Sequence, residues 1–188
     1  VGVEALKSAG YTVIDQPHLA GEALRDTLRA KTPDVLIVRS TRVDATALGA
    51  SPNLALIVRA GAGYDTIDVS GAAQRGIFVA NCPGRNSVAV AELTMGLLVS
   101  LDRRIPDNVI DARAGRWNKK AYAQADGLKG RTLGILGLGN IGTAVMERAQ
   151  AFDLDVIAWS RSLTPEQAEA QGIGHRASPE AVARDAEM

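Results

Sequence analysis

The sequence predicts an α/β protein built on parallel sheets, and three observations carry that expectation. Short apolar runs of strand length alternate with amphipathic helical segments along most of the 188 residues. One stretch, Arg131–Trp159, reads without interruption as strand, glycine-rich turn, helix and second strand. A Pro-Gly loop, Asn81–Ser87, separates a first series of such units from a long apolar helix, which places a domain boundary near Pro83: one domain over 1–83, a second over 84–188.

Taken in order, Val1–Ala9 has helical spacing with Gly10 as its stop, and Tyr11–Ile14 has the apolar, β-branched look of a strand. Glu22–Ala30 places Leu24 and Leu28 on one helical face, and V-L-I-V at 35–38 is apolar throughout, as a strand buried in a parallel sheet is. Arg39 and Ser40 follow its carboxyl end. A short helix at Asp44–Leu48 leads to the strand Ala55–Val58, which runs into R-A-G-A-G-Y-D at 59–65, where Gly61 and Gly63 open a turn. Asp68 is a good cap for a helix over Val69–Arg75, Gly76 ends it, and Ile77–Ala80 is the next strand.

Val88–Arg103 is apolar on more than one face, which predicts a helix buried in its own domain or against a partner subunit. Pro106 interrupts it, Asp107–Gly115 is a shorter helix, and Asn118–Lys129 is a polar connector. Beyond Trp159, Pro165–Gln171 and Pro179–Met188 read as helices, the latter capped by Ser178, with a short strand over Ile173–His175 between them.

The glycine-rich turn carries the first functional inference. Thr132–Leu136 meets G-L-G-N-I-G at 137–142, and the apolar period then becomes helical, with Ile141, Ala144, Val145, Ala149 and Phe152 on one face. Gly137 lets the chain turn sharply out of the strand, Gly139 lets backbone approach a pyrophosphate, and Gly142 lets helix and strand pack closely. The backbone N–H groups around Asn140 and Ile141 would then face phosphates at the positive end of the helix dipole. Such glycines also serve ordinary turns. The flanking strands and helix supply the context that makes this a dinucleotide site.

Composition narrows the classes. Hydrophobic residues make up 46% and charged residues 22%, enough for a real core, and Lys+Arg equals Asp+Glu at 21 each, so no basic surplus points to nucleic acid. Cys82 is the only cysteine, which excludes a disulfide framework or a cysteine-based zinc site and suits a reducing cytoplasm. No signal-peptide pattern is read, and the most apolar stretch, Val88–Leu101, contains Glu92 and is too short to span a bilayer.

R-A-G-A-G-Y-D-T-I-D at 59–68, N-C-P-G-R-N-S-V-A-V-A-E-L-T at 81–94, G-R-W-N-K-K at 115–120 and L-K-G-R-T-L-G-I-L-G-L-G-N-I-G at 128–142 occur in the order seen in D-2-hydroxyacid dehydrogenases. The chain resembles that family over nearly its whole length, with the D-3-phosphoglycerate dehydrogenase branch nearest in look. The resemblance implies a flavodoxin-like substrate domain followed by a Rossmann NAD(P)-binding domain, with the active site in the cleft between, and hydride transfer between nicotinamide C4 and C2 of a 2-hydroxy acid such as 3-phosphoglycerate, or of hydroxypyruvate or glyoxylate in reverse. It also implies that Arg39 and Ser40 help hold substrate anions, that backbone N–H groups of Ala62 and Gly63 face the substrate carboxylate, and that Asn86 lies on the hinge-side loop. Each has a plainer alternative: a solvated arginine, a simple turn, a helix cap. Ala89 departs from the hydroxyl residue often found in the family.

The family's acid–base histidine, its carboxylate and its substrate-orienting arginine come from later strands and loops, so no catalytic residue is assigned in this chain; His18 and His175 match none of those positions. Both domains therefore look incomplete, with a strand expected ahead of Val1 and a fourth cofactor-sheet strand after Met188, and the 188 residues alone are expected to be inactive. The alternative function on the same fold is a nucleotide-sensing, corepressor-like regulator. An apolar helix over Val88–Leu101 implies a homodimer. Finally, an NAD site places Asp or Glu roughly 20 residues beyond the glycines. Here Ser160 stands eighteen after Gly142, with Arg161 next, which favours NADP through Ser160 and Arg161. The plainer reading leaves Ser160 on the ribose of NAD and Arg161 in solvent.

Overall fold

A computed structural model describes residues 2–188 of the chain and divides it into two units, one ending at Pro83 and the other running from Gly84 to Met188. In the first, α1 (Gly2–Ser8) and α2 (Gly21–Lys31) precede β1 (Val35–Val38), then α3 (Ala45–Leu48), β2 (Leu56–Arg59), α4 (Val69–Gln74) and β3 (Phe78–Ala80). The three strands are parallel in the order β1-β2-β3, with Val38 opposite Arg59 and Val58 opposite Ala80. The connecting helices begin where short polar side chains meet free N–H groups: Asp44 accepts from the N–H of Thr46 and Ala47, and Asp68 from that of Gly71.

The core of this unit lies on one face of the sheet. Leu24 and Leu28 of α2, Ala47 and Leu48 of α3 and Ala72 of α4 pack with Val38 and Ile57. On the other face Val35, Ile37 and Phe78 are exposed. Parallel strands have the composition of a sheet covered on both sides, which is why these residues are apolar although only one side is covered by the described residues. The expected strand at Tyr11–Ile14 does not form, and Tyr11 and Ile14 are exposed. Strand propensity is realised only against a neighbour that takes up the backbone groups, and no described strand lies beside this run.

The second unit contains α5 (Ser87–Asp102), α6 (Ile105–Arg113), α7 (Lys119–Tyr122), β4 (Thr132–Leu136), α8 (Asn140–Ala151), β5 (Asp155–Trp159), α9 (Pro165–Ala170), β6 (Gly174–His175) and α10 (Pro179–Asp185). Its strands are parallel in the order β4-β5-β6. Ala91 and Met95 of α5 and Val145, Met146 and Ala149 of α8 share a core with Leu133, Ile135, Val156 and Ala158. The opposite face receives α10: a β-carbon at Gly134 would lie 2.7 Å from Val182 Cγ1, so that glycine is what lets the helix approach. The helix expected to reach Met188 stops at Asp185. Glu187 and Met188 instead run beside β4, where Met188 donates its N–H to the Thr132 carbonyl at 3.2 Å and its carbonyl accepts from Gly134 at 2.8 Å.

Two expected helical faces are narrower than the sequence suggested. In α5 only Ser87, Ala91 and Met95 are fully buried, whereas Leu93, Leu97 and Leu101, spaced one turn apart, are 63%, 55% and 76% exposed. In α8 the buried stripe is Val145, Met146 and Ala149, while Ile141 and Phe152 at its two ends are exposed. Met146, which the apolar spacing had not placed on this face, is buried with that stripe.

The polar connector holds an arm built from α6 and α7. The Tyr122 hydroxyl donates to Asp111 Oδ2 at 2.6 Å, Arg116 donates to Asp111 Oδ1, and the Arg104 guanidinium stands 5.2 Å from the Tyr122 ring centroid. The Tyr122 bond, then Arg116, hold the Asp111 carboxyl below the usual carboxylate range, and the same bond holds the Tyr122 phenol above its own. Because the folded value of Asp111 is depressed, its stabilisation is complete above the ordinary carboxylate pKa and is lost as pH falls through the lower, folded one. An acid titration followed by Trp117 fluorescence in a Trp159→Phe background is therefore expected to show the arm loosening in that window. Asp111→Asn is expected to show the loosened signal already at neutral pH. A pH-independent Trp117 signal in both proteins would contradict this account.

Candidate functional site

Two turns gather the candidate residues, one in each unit. In the second, β4 ends at Leu136 and Gly137 follows with φ of +98°, a left-handed conformation that glycine enters without strain. Its N–H donates to the Trp159 carbonyl at 2.8 Å, which ties the turn to the end of β5. Gly139 is the N-cap of α8, and a β-carbon there would meet no atom within 4 Å, so the space above its backbone is open. Gly142 is the opposite case: a β-carbon would lie 2.1 Å from the Gly137 carbonyl oxygen. The turn is thus closed on the side facing the strand and open on the side where a ligand would sit.

Among the described residues, the N–H groups of Asn140, Ile141 and Gly142 donate to no acceptor, as the first turn of a helix leaves them. The Asn140 side chain packs on Gly84, where a β-carbon would approach its Nδ2 to 3.0 Å. Open backbone at Gly139, free N–H groups and the positive end of a 12-residue helix fit the pyrophosphate of a dinucleotide. Ser160 is half-buried just past the end of β5 and Arg161 is exposed beside it, with no ion pair among the described residues. Asp155 opens β5 at the far end, and Asp153, at φ +59°, pairs with Lys129 at 3.0 Å. Neither carboxylate stands where β5 meets the glycine turn.

In the first unit, Arg39 and Ser40 leave the carboxyl end of β1 and are exposed, while the turn 59–63 leaves the carboxyl end of β2 beside them. Open parallel sheets bind ligands at these ends. The turn is braced from both neighbouring strands. Ala60 donates to the Val38 carbonyl at 2.7 Å, Cys82 donates to that of Gly61 at 3.0 Å, and the Asn81 side-chain amide donates to that of Ala62 at 2.6 Å. The N–H groups of Ala62 and Gly63 donate to nothing among the described residues. Held carbonyls and free amides on one short turn make a place for an anion.

Sequence reading missed two members of this turn. Asn81 is its brace. Arg59 folds its guanidinium back over Gly61, where a β-carbon would stand 1.6 Å from Nη1. The only available signal was an arginine at the end of a buried strand, directly before A-G-A-G. Asn86 lies in the second unit as the N-cap residue of α5, and its side chain makes no capping hydrogen bond. The plainer reading of Asn86 as a cap is therefore not what its side chain does. His18 is exposed in a loop and His175 half-buried at the end of β6, and among the described residues no cluster of His, Cys, Asp and Glu is arranged to hold a metal.

The family profile described as "D-isomer specific 2-hydroxyacid dehydrogenase, catalytic domain" matches residues 1–186. The D-3-phosphoglycerate dehydrogenase of Methanocaldococcus jannaschii is 41% identical over 146 residues, covering 77% of this chain and 28% of that protein. The hydroxypyruvate reductase of Thermotoga maritima is 46% identical over 127 residues, covering 67% of this chain and 41% of that protein. The crystal structure of NAD+-bound 3-phosphoglycerate dehydrogenase from Entamoeba histolytica superposes with a TM-score of 0.76 at 28% identity, over 97% of this chain and 53% of that one. The chain thus spans well under half the length of these curated relatives. From the ordered motifs, the two glycine-bearing turns and the match over residues 1–186, the chain belongs to the D-isomer-specific 2-hydroxyacid dehydrogenase family.

Proposed function

We propose that the whole protein is an oxidoreductase that exchanges hydride between a nicotinamide dinucleotide and C2 of a D-2-hydroxy acid. The observation that carries this reading is the Gly137–Gly142 turn, whose open backbone and free N–H groups suit a pyrophosphate. When bound, the nicotinamide supplies or accepts the hydride. The residues described here bind and orient. Asn140, Ile141 and Gly142 offer N–H groups to the pyrophosphate, with Gly137 and Gly139 keeping the turn sharp and bare. Ser160 and Arg161 face the adenosine ribose and favour NADP. In the first unit, Ala62 and Gly63 present paired N–H groups to the carboxylate, with Arg39 and Ser40 adding charge and a hydroxyl; in the second, Asn86, whose side chain makes no capping hydrogen bond, keeps its amide for substrate. Preorganised donors of this kind hold an acid without reorganising.

The test is steady-state oxidation of NADPH and NADH by the whole protein with hydroxypyruvate, glyoxylate and 3-phosphohydroxypyruvate. Turnover with at least one acid is expected, and none from the 188 residues alone, since neither His18 nor His175 stands at either turn. Absence of turnover in the whole protein with every pair would overturn the reading. Turnover by the 188 residues that His175→Ala abolishes would overturn the assignment of no catalytic residue to them. With no described helix long and apolar enough to cross a membrane, and Cys82 a free thiol, a reducing cytoplasm is the proposed location.

The same proposal includes a homodimer through Val88–Leu101. Val88, Leu93, Leu97 and Leu101 are apolar and exposed although the opposite face of α5 is well packed against α8, and Ile105 and Val109 extend that apolar character into α6. Exposed apolar side chains one turn apart on a helix, as Leu93, Leu97 and Leu101 are, support the reading of an interface. Sedimentation of the whole protein is expected to give a dimer at micromolar concentration, and Leu93→Glu/Leu97→Glu to weaken it by roughly a hundredfold or more, as burial of unpaired charge does. A monomeric unmodified protein at that concentration would remove the dimer.

A further inference from the structure

We propose that Asn81 is a positioning residue: its side-chain amide fixes the direction in which the Gly63 N–H points, and so sets how tightly the acid's carboxylate is held. The inference rests on the reading that the Ala62–Gly63 turn takes that carboxylate. Val58 lies opposite Ala80 in the parallel pairing of β2 with β3, so the two chains leave their strands side by side. Asn81 and Cys82 are the first two residues past β3, and each holds one carbonyl of the turn past β2. The Cys82 N–H donates to the Gly61 carbonyl at 3.0 Å, and Asn81 Nδ2 donates to the Ala62 carbonyl at 2.6 Å.

Those two carbonyls belong to the peptide units whose other ends carry the free donors. A peptide unit is planar and trans, so its C=O and N–H point in opposite directions. Holding the Gly61 carbonyl therefore aims the Ala62 N–H, and holding the Ala62 carbonyl aims the Gly63 N–H. Neither N–H donates to anything among the described residues. Two donors aimed from behind by consecutive residues and unspent in front suit the two oxygens of one carboxylate. The anchors matter because Gly61 and Gly63 flank Ala62, and glycine leaves the backbone free to take conformations other residues avoid. Without its anchor, the peptide between Ala62 and Gly63 can rotate and turn its carbonyl oxygen, instead of its N–H, toward the anion. A hydrogen bond at the carbonyl also polarises the peptide and strengthens its N–H as a donor. Of the two anchors only that of Asn81 is a side chain, so it is the one a substitution removes.

The test pairs two measurements on the whole protein and on Asn81→Ala, Asn81→Asp and Asn81→Gln. One is steady-state reduction of hydroxypyruvate and glyoxylate; the other is calorimetric titration with oxamate, a carboxylate beside a carbonyl, with NADPH or NADH present. Ionised Asp has the size of Asn but only accepts, whereas Gln keeps the donor on a longer stem. In Asn81→Ala and Asn81→Asp, KM for the acid and the oxamate dissociation constant are expected to rise roughly tenfold to a hundredfold. The carboxylate is held alike before and during hydride transfer, so kcat is expected to stay within about threefold. Asn81→Gln is expected to recover part of the affinity, and binding of NADPH and NADH to remain as in the unmodified protein. A purely structural brace gives the opposite split: folded protein is lost, so the unfolding midpoint and apparent kcat fall while KM stays. That split, an unchanged KM in folded Asn81→Asp, or failure of all three variants to fold would overturn the proposal. Failure of the functional reading is separate: Asn81-dependent oxamate binding with no NAD(P)H oxidation removes that reading and keeps this one. Neither turnover nor oxamate binding in the unmodified protein would overturn both.

Discussion

Gly142→Ala is expected to destabilise the second unit and abolish dinucleotide binding, whereas Gly139→Ala is expected to remove binding and leave the fold. The two glycines stand three residues apart in one turn but face different neighbours. At Gly142 a β-carbon would come within 2.1 Å of the Gly137 carbonyl oxygen and 3.2 Å of its carbon, both backbone atoms fixed by the strand. No rotamer change relieves that contact, so α8 must move away from β4. Overpacking of this kind destabilises by about 1–3 kcal/mol and sometimes more, and the backbone clash puts Gly142→Ala at the upper end. For a chain of this size that lowers the unfolding midpoint by roughly 6–12 °C. At Gly139 nothing lies within 4 Å and φ is −88°, a value alanine adopts freely, so stability should fall only by the roughly 0.5–1 kcal/mol that separates glycine from alanine at an N-cap. The methyl group would occupy the ligand's side, and affinity measured by NADPH and NADH fluorescence is expected to fall by roughly a hundredfold. If Gly139→Ala bound both cofactors as the unmodified protein does, the pyrophosphate would not lie over this turn.

Much of this was legible because local and tertiary signals agree. V-L-I-V at 35–38 and T-L-G-I-L at 132–136 are strands in the structure because their apolar composition and the helices that follow, with glycines directly after the second, all demand a parallel sheet. Asp44, Asp68, Thr164 and Ser178 cap helices through hydrogen bonds that their side chains supply locally, so those starts needed no tertiary knowledge. Tyr11–Ile14 fails for the converse reason, since a strand is made by its neighbour. The exposed stripe of α5 was invisible for a related one: apolar residues around a whole helix do not tell which side its own unit covers. Ala91 and Met95 pack inside while Leu93 and Leu97 do not, and only the position of α8 decides it. At the candidate site the backbone donors of Ala62 and Gly63 followed from a motif. Arg59 did not, because what distinguishes it is a side chain curled over Gly61, a contact that depends on where Cys82 and Val38 hold the turn.

The whole protein is expected to bind NADPH about tenfold or more tighter than NADH, and the double change Ser160→Asp/Arg161→Pro to reverse that order. On the function proposed above the adenosine ribose is met where β5 ends, and there the chain supplies a hydroxyl and an exposed guanidinium that is free of ion pairs among the described residues. The carboxylates near β5 are elsewhere. Asp155 opens the strand, and Asp153 is held by Lys129 at 3.0 Å in a left-handed turn, so neither repels a 2′-phosphate or accepts from ribose hydroxyls. A guanidinium pairs with a phosphate through two parallel hydrogen bonds, each strengthened by charge, and contacts of that strength amount to roughly tenfold or more in affinity. Installing a carboxylate at 160 reverses both effects, since it accepts from the ribose hydroxyls of NADH and opposes the extra phosphate of NADPH. Removing Arg161 takes away the attraction, so the ratio of the two dissociation constants is expected to move by about a hundredfold or more. Fluorescence titration of the unmodified and doubly changed proteins with both reduced cofactors measures that ratio directly. Tighter binding of NADH by the unmodified protein would place Ser160 on the ribose of NAD and leave Arg161 to the solvent.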